Sequence, residues 1–259
     1  MNLRIHCPAI YGPVQSRRHG LSLGINLGDP HAKVCTWGCI YCQCGFGSRK
    51  ESKERNDGEK IPSLQQVLGE LKSALQKHPN LDSVTMAGNS EPTAHPEFSQ
   101  IVHSVLELRK ETGGRWIFNC LSNGSELDQD SVVNACDRLD EAWVKLDCGI
   151  DELFRKLNRP TPSVGTVDSH IERIQRLSQP MLQSLFWNCS ATPEVANWTE
   201  ANRQALLAAY LKIAPQQIFI TTVEREPAFQ GAEPVSKEEL ETFAAEIRNR
   251  GLRVKVFAR

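Results

Sequence analysis

From about residue 21 onward, short runs of apolar residues alternate with longer stretches in which apolar positions recur every three to four residues. The short runs read as strands: 21–27, "SVTMAG" (83–88), "RWIFNCLSNG" (115–124), "AWVKLDCG" (142–149), "MLQSLFW" (181–187), "QIFITTV" (217–223) and, closing the chain, "LRVKVFA" (252–258). The longer stretches read as helices. Ser63 is placed as an N-cap before Leu64, Val67, Leu68, Leu71 and Leu75, which share one helical face. A second helix is expected near 96–111, opened by Pro96, and a short third from Asp128 to Cys136. Others are expected near 166–178 and 199–213, and Ser236 with Glu239 forms a capping-box pattern before Leu240, Phe243 and Ile247. Strict strand–helix alternation means parallel strands joined by helical crossovers. About six such units are fewer than a closed TIM barrel has, so the pattern predicts an α/β fold: a partial (β/α)6 TIM-like barrel of parallel strands. One domain is expected over residues 1–259, with 1–20 leading into the first strand. In such a sheet ligand chemistry collects at the carboxyl ends of the strands, where every functional residue is therefore expected.

Charge changes this picture little: 30 Lys and Arg against 31 Asp and Glu give no electrostatic case for a nucleic-acid partner. No apolar run approaches the roughly 20 residues of a membrane span. The opening "MNLRIHCPAIYG" lacks the apolar core of a secretory signal, which makes a cytoplasmic protein the expectation. In that compartment nine cysteines favour thiols or metal ligands over disulfides. Residues 46–60, "FGSRKESKERNDGEK", form a charge-rich run expected to be a solvated loop.

Four of the cysteines fall within "VCTWGCIYCQCG", residues 34–45. A structural zinc takes four ligands, usually as two Cys-x-x-Cys pairs from separate knuckles, and Cys42-x-Cys44 is too tight for such a pair. The spacing Cys35-x-x-x-Cys39-x-x-Cys42 instead suits three thiolates on three irons of a [4Fe-4S] cube, leaving the fourth iron open to a non-protein ligand. "CTWGCIYC" resembles the cluster loop of the radical S-adenosylmethionine (radical SAM) superfamily, with the aromatic Tyr41 before the last cysteine. After the second strand, "AGNSEPTAHPEF" (87–98) is similar to the Gly-Gly-Glu-Pro element of that family, with Glu91 as the matching carboxylate. It departs from the pattern in that Asn89 and Ser90 stand between Gly88 and Glu91. "LSNG" (121–124) resembles the family's Thr-Asn-Gly. More narrowly, "GPVQSRRHGLSLGINL" and "VKLDCGIDELFRKLNRP" resemble a wyosine-synthase-like subgroup, and the similarity runs from about Tyr11 to Arg225.

The resemblance implies a cluster on Cys35, Cys39 and Cys42, and S-adenosylmethionine (SAM) contacts from Tyr41, Gly88, Asn89, Glu91, Ser122, Asn123, Lys145 and Asp147. Each contact has a plainer reading. Glu91 also suits a helix start, Ser122 and Asn123 a turn, and Tyr41 packing within the loop. Period-two alternation places Lys145 and Asp147 on the face opposite Val144 and Leu146, where they would pair with a ligand or with each other. Arg17 and Arg18 are candidates for an anionic substrate or the SAM carboxylate, or else surface side chains. His95 reads as capping or packing rather than as a base. Cys120, Cys148 and Cys189 fall near the carboxyl ends of strands three, four and five, where they would serve as a hydrogen-atom donor or second-cluster ligands, or else be small buried hydrophobes, and Cys44 reads as a bystander beside the cluster.

By resemblance the expected activity is reductive cleavage of SAM to a 5′-deoxyadenosyl radical that takes hydrogen from a small-molecule or peptide substrate. Electrons would come from a flavodoxin- or ferredoxin-type donor, and no catalytic side chain is assigned. Two alternatives stay open: an iron-sulfur electron-transfer or sensing protein that does not cleave SAM, and a tRNA-modifying radical SAM enzyme.

Overall fold

The computed structural model describes residues 7–45, 47–50, 60–224 and 229–258. Most of the polar run at 46–60 lies outside the described residues. Six strand–helix units and a final strand follow one another along the chain, in the order that periodicity indicates. The chain divides into two compact units: one takes the described residues up to Thr36 and from Gly47 to Ala142, the other those from Trp37 to residue 45 and from Trp143 onward.

In the first unit β1 (Ile10–Ser16) and β2 (Gly20–Ile25) make an antiparallel hairpin. Val34–Cys35 (β3) and Ser48–Arg49 (β4) form a two-residue parallel pair. After α1 (Leu64–Lys77) come β5 (Ser83–Met86), α2 (Phe98–Glu111), β6 (Ile117–Ser122) and α3 (Asp130–Cys136). β2, β5 and β6 run parallel, with Ser22 opposite Ser83 and Ser83 opposite Ile117. All four residues of the central β5 are buried, as expected of a parallel strand covered on both faces. Its polar positions are satisfied internally: the Ser22 and Thr85 hydroxyls stand 2.9 Å apart, and Ser83 donates to the His19 carbonyl at 2.8 Å.

Two expectations need correction here. Residues 1–20 are expected only to lead into the first strand, yet 10–16 form a strand of their own; β1 is an edge, where the missing N–H of Pro13 costs no ladder bond, and its register shifts between Tyr11 and Val14 to absorb Gly12 and Pro13. The second helix starts at Phe98 rather than Pro96, because Pro92–Ala94 form a separate turn of 3-10 helix.

In the second unit β7 (Glu141–Lys145) leads through α4 (Asp151–Leu153), a π turn at Phe154–Asn158 and α5 (Val167–Ile174) to β8 (Met181–Asn188). Then come α6 (Glu200–Ile213), β9 (Gln217–Thr222), β10 (Glu233–Pro234), α7 (Lys237–Asn249) and β11 (Val254–Phe257). β7, β8, β9 and β11 are parallel neighbours in that order, and β10 pairs antiparallel with β8. Among the described residues no helix is long and apolar enough to cross a membrane.

The capping box at α7 is formed as expected: Ser236 Oγ accepts from Glu239 N at 3.2 Å, and Ser236 N donates to Glu239 Oε2 at 3.0 Å. Ser236→Ala should therefore lower stability by about 1 kcal/mol, read as a reduced urea midpoint; an unchanged midpoint would show that the cap carries no stability.

Candidate functional site

The segment after β2 is tied to the carboxyl end of β5 by residues of the "GNSE" stretch. Asn89 Nδ2 donates to the carbonyls of Asp29 (2.7 Å) and Ala32 (3.2 Å), and Ser90 Oγ to that of Val34 (2.5 Å). Gly88 has no room for a side chain, since a Cβ there would lie 2.0 Å from Asn26 Oδ1. The departure from Gly-Gly-Glu-Pro thus has a structural content: Asn89 and Ser90 brace the chain just before Cys35.

Glu91 is buried, and both of its oxygens are engaged. Oε1 accepts from Thr93 N (3.1 Å), Thr93 Oγ1 (2.5 Å) and Ser122 Oγ (2.6 Å), and Oε2 from Asn123 N (2.7 Å). Burial pushes this carboxyl above its ordinary range, against the pull of those four bonds. An ionised carboxylate has about four acceptor sites, so the acceptor capacity left is on Oε2. The helix-start role is present as well, since Glu91 caps the turn at Pro92–Ala94. Asn123 continues the chain of contacts. Its Nδ2 lies 2.9 Å from Thr36 Oγ1 and 3.7 Å from Cys35 Sγ, and Thr36 Oγ1 meets Ser125 Oγ at 2.8 Å.

In the second unit Asp147, just beyond β7, is fully buried. Oδ2 accepts from the Tyr41 hydroxyl and from Asn158 Nδ2 (3.0 Å) and lies 3.5 Å from Lys145 Nζ; Oδ1 accepts from Leu185 N at 2.8 Å. The pairing of Lys145 with Asp147 is therefore present. Tyr41 packs its ring 4.8 Å from that of Trp187, and Lys145 Nζ stands 4.9 Å from its centroid, so the loop-packing reading describes its contacts. Asn158 Nδ2 also reaches Tyr41 Oη (2.8 Å) and Cys39 Sγ (3.8 Å). The backbone agrees: Gly38 N donates to the Arg159 carbonyl and Ile40 N to that of Leu157.

Trp37 packs edge-on to Phe154 and His170, with centroids 5.2 and 5.1 Å away. His170 Nε2 contacts the Lys145 carbonyl at 2.8 Å, which makes Nε2 the protonated nitrogen, and Nδ1 is buried with no partner among the described residues. Cys39 is buried and its thiol is pushed up to about 11, chiefly by desolvation, whereas Cys35 and Cys42 are half-buried.

Among the described residues no three His, Cys, Asp or Glu side chains converge as ligands of a single ion. A four-iron cube makes a different demand, since each thiolate meets its own iron. Three sulfurs on one short loop, two of them facing side-chain N–H donors, suit that group.

Residues 30–183, more than half of the chain, match the radical SAM superfamily. The chain belongs to that superfamily. It is 29% identical over 235 residues to a UPF0026 protein of Helicobacter pylori, covering 90% of this chain and 71% of that one. Among solved structures, a radical SAM methyltransferase from Sphaerobacter thermophilus is similar with a TM-score of 0.59 at 16% identity, over 92% of this chain and 66% of its own. Streptococcus suis SuiB bound to S-adenosylmethionine is similar with a TM-score of 0.61 at 12% identity, over 88% and 48%. Archaeal TYW1 is similar with a TM-score of 0.54 at 9% identity, over 88% and 71%. The chain thus spans about half of SuiB and just under two thirds of the methyltransferase. These likenesses show the fold, the partial α/β barrel that the alternation predicts.

Most of the expected radical SAM residues lie at or just beyond carboxyl ends of strands. In the first unit Glu91, Ser122 and Asn123 come together with Cys35, and in the second Lys145, Asp147 and Tyr41 come together with Cys39. Arg17 and Arg18 do not follow that rule. They form the β1–β2 turn, at the amino-terminal edge of β2, where burial and the neighbouring Arg17 charge pull Arg18 down to about 10. His95 spends both ring nitrogens on local backbone, at Pro62 O and Glu97 N. Cys120, Cys148 and Cys189 are buried free thiols, and desolvation holds Cys120 and Cys148 well above the ordinary range. Sequence reasoning missed Asn158, Thr93, Thr36 and His170; the first three stood in stretches already notable, "FRKLNRP", "AGNSEPTAHPEF" and "CTWGCIYC", and only His170 did not.

Burial depresses the His170 pKa to about 4 from an ordinary 6.5. Below pH 6.5 the unfolded chain binds a proton that the folded chain refuses, so stability falls as pH drops from there toward 4. At pH 5 the loss amounts to about 2 kcal/mol. In His170→Gln the fall in unfolding free energy between pH 7 and pH 5 should shrink by that amount; equal falls in both proteins would contradict the buried neutral histidine.

Proposed function

We propose that this chain is a radical SAM enzyme holding one [4Fe-4S] cluster on Cys35, Cys39 and Cys42, read as one domain working in the cytoplasm with a flavodoxin- or ferredoxin-type electron donor. The observation that carries this reading is positional: the segment matched to the superfamily contains, in order, the three cysteines, Glu91, Asn123 and Asp147. A cluster held there would supply the one electron needed to break the sulfonium S–C bond of SAM, giving methionine and a 5′-deoxyadenosyl radical.

The side chains have separable tasks. The remaining acceptor capacity of Glu91 Oε2 suits an ammonium group, which a buried carboxylate holds by a charge-assisted bond. Ser122 and Asn123 supply two of the four donors to that carboxylate, which aim it and favour its ionised form against the effect of burial. Lys145 pairs with Asp147 at 3.5 Å and is 19% exposed at the side chain, so its ammonium suits a carboxylate or ribose of SAM that approaches while the pair stays in place. Tyr41 and Asp147 hold the cluster loop in place. The substrate is assigned to small molecules or peptides, in keeping with the balanced charge of the chain.

Anaerobic reconstitution should give about four irons per chain, and dithionite with SAM should release 5′-deoxyadenosine. Iron uptake with no 5′-deoxyadenosine would favour the electron-transfer or sensing alternative. Glu91→Gln should keep its iron while SAM affinity falls about tenfold or more, the worth of one charge-assisted bond; unchanged affinity would remove Glu91 from the SAM site.

A further inference from the structure

Two of the three cluster cysteines each face a carboxamide nitrogen. Asn123 Nδ2 is 3.7 Å from Cys35 Sγ in the first unit, and Asn158 Nδ2 is 3.8 Å from Cys39 Sγ in the second. Asn158 is the more constrained of the two, being wholly buried in the π turn that ends at this residue. Its nitrogen faces the Asp147 carboxylate, the Tyr41 oxygen whose proton already goes to Asp147, and the Cys39 sulfur. All three are acceptors, so the NH2 end must be the one turned toward them. It has two N–H bonds for them: the Tyr41 and Asp147 oxygens, themselves hydrogen-bonded, stand close enough to share one, which leaves the other for sulfur. The carbonyl oxygen of the Asn158 side chain is buried with no partner among the described residues, a desolvation cost that the side chain bears in this orientation.

The geometry points to Asn158 as a positioning residue that sets the reduction potential of the cluster through an N–H bond to Cys39 Sγ. The inference rests on the cluster reading above. Reduction adds one electron from an external one-electron donor, with no bond broken and no proton moved. The added charge is shared by the thiolate sulfurs. An N–H aimed at sulfur stabilises the more negative state and so raises the potential, and the low dielectric of a buried site strengthens the effect. Nothing in the role requires contact with SAM.

The test is a redox titration of anaerobically reconstituted wild type, Asn158→Leu and Asn158→Ala, with dithionite as reductant, no SAM present, and the reduced cluster followed by electron paramagnetic resonance. Leucine keeps the volume of asparagine and removes its donors; alanine removes both. The expected result is wild-type iron content with a more negative midpoint in both variants. An unchanged or raised midpoint at full iron content overturns the proposal. So does loss of iron from both variants, which would make Asn158 a residue for folding the loop. Because SAM is absent, a wild type that takes up the cluster and fails to cleave SAM refutes the enzymatic reading alone, whereas a wild type that takes up no four-iron cluster refutes both.

Discussion

A carboxylate sealed from water has to be met by donors and a cation, and Asp147 is met from four separate stretches of chain. Lys145 comes from β7, Tyr41 from the cluster loop, Asn158 from the π turn and the Leu185 amide from β8. Removing one partner of such a buried pair typically costs about 3–5 kcal/mol, since the remaining charge keeps its desolvation penalty. That penalty ties the four stretches together. Residues 37–45 contain no long helix or strand of their own and are held in part through the Tyr41 hydroxyl on Asp147.

The first unit repeats the device with a different carboxylate. Glu91 gathers Thr93, Ser122 and the Asn123 amide, and the Asn123 side chain then reaches Thr36 and Cys35. Each buried carboxylate is thus one side chain removed from a cysteine: Glu91 through Asn123 to Cys35, and Asp147 through Asn158 to Cys39. The connection runs from an acid that must be satisfied to a sulfur that is placed by it. Under the cluster reading proposed above such placement matters, because Cys39 is buried and its thiol is pushed up to about 11.

Periodicity made the seven main parallel strands and the larger helices legible, since burial of β5 and the apolar faces of α1 and α2 leave regular marks. β1 escaped because Gly12 and Pro13 mask a strand that needs no partner on its outer side. The Lys145–Asp147 pair was legible because period-two alternation puts both on one face, while the roles expected of the cysteines, Glu91 and Asn123 come from the resemblance. Arg17 and Arg18 stand just before β2 and so at its amino end, away from the carboxyl ends where the other candidates gather. Asn158 was invisible because a lone asparagine at the end of a polar, amphipathic run has the same signature whether it caps a turn or serves a buried carboxylate. Its importance exists only once three distant acceptors have been brought around it.

The account stands on a cube bound by three thiolates whose last iron is reserved for SAM. Mössbauer spectroscopy of protein loaded with isotope-enriched iron, with and without SAM, addresses this most directly. One iron site whose parameters change when SAM is added, with the others unmoved, is the predicted result. A cluster in which every iron already carries a protein ligand, and which is indifferent to SAM, would contradict it.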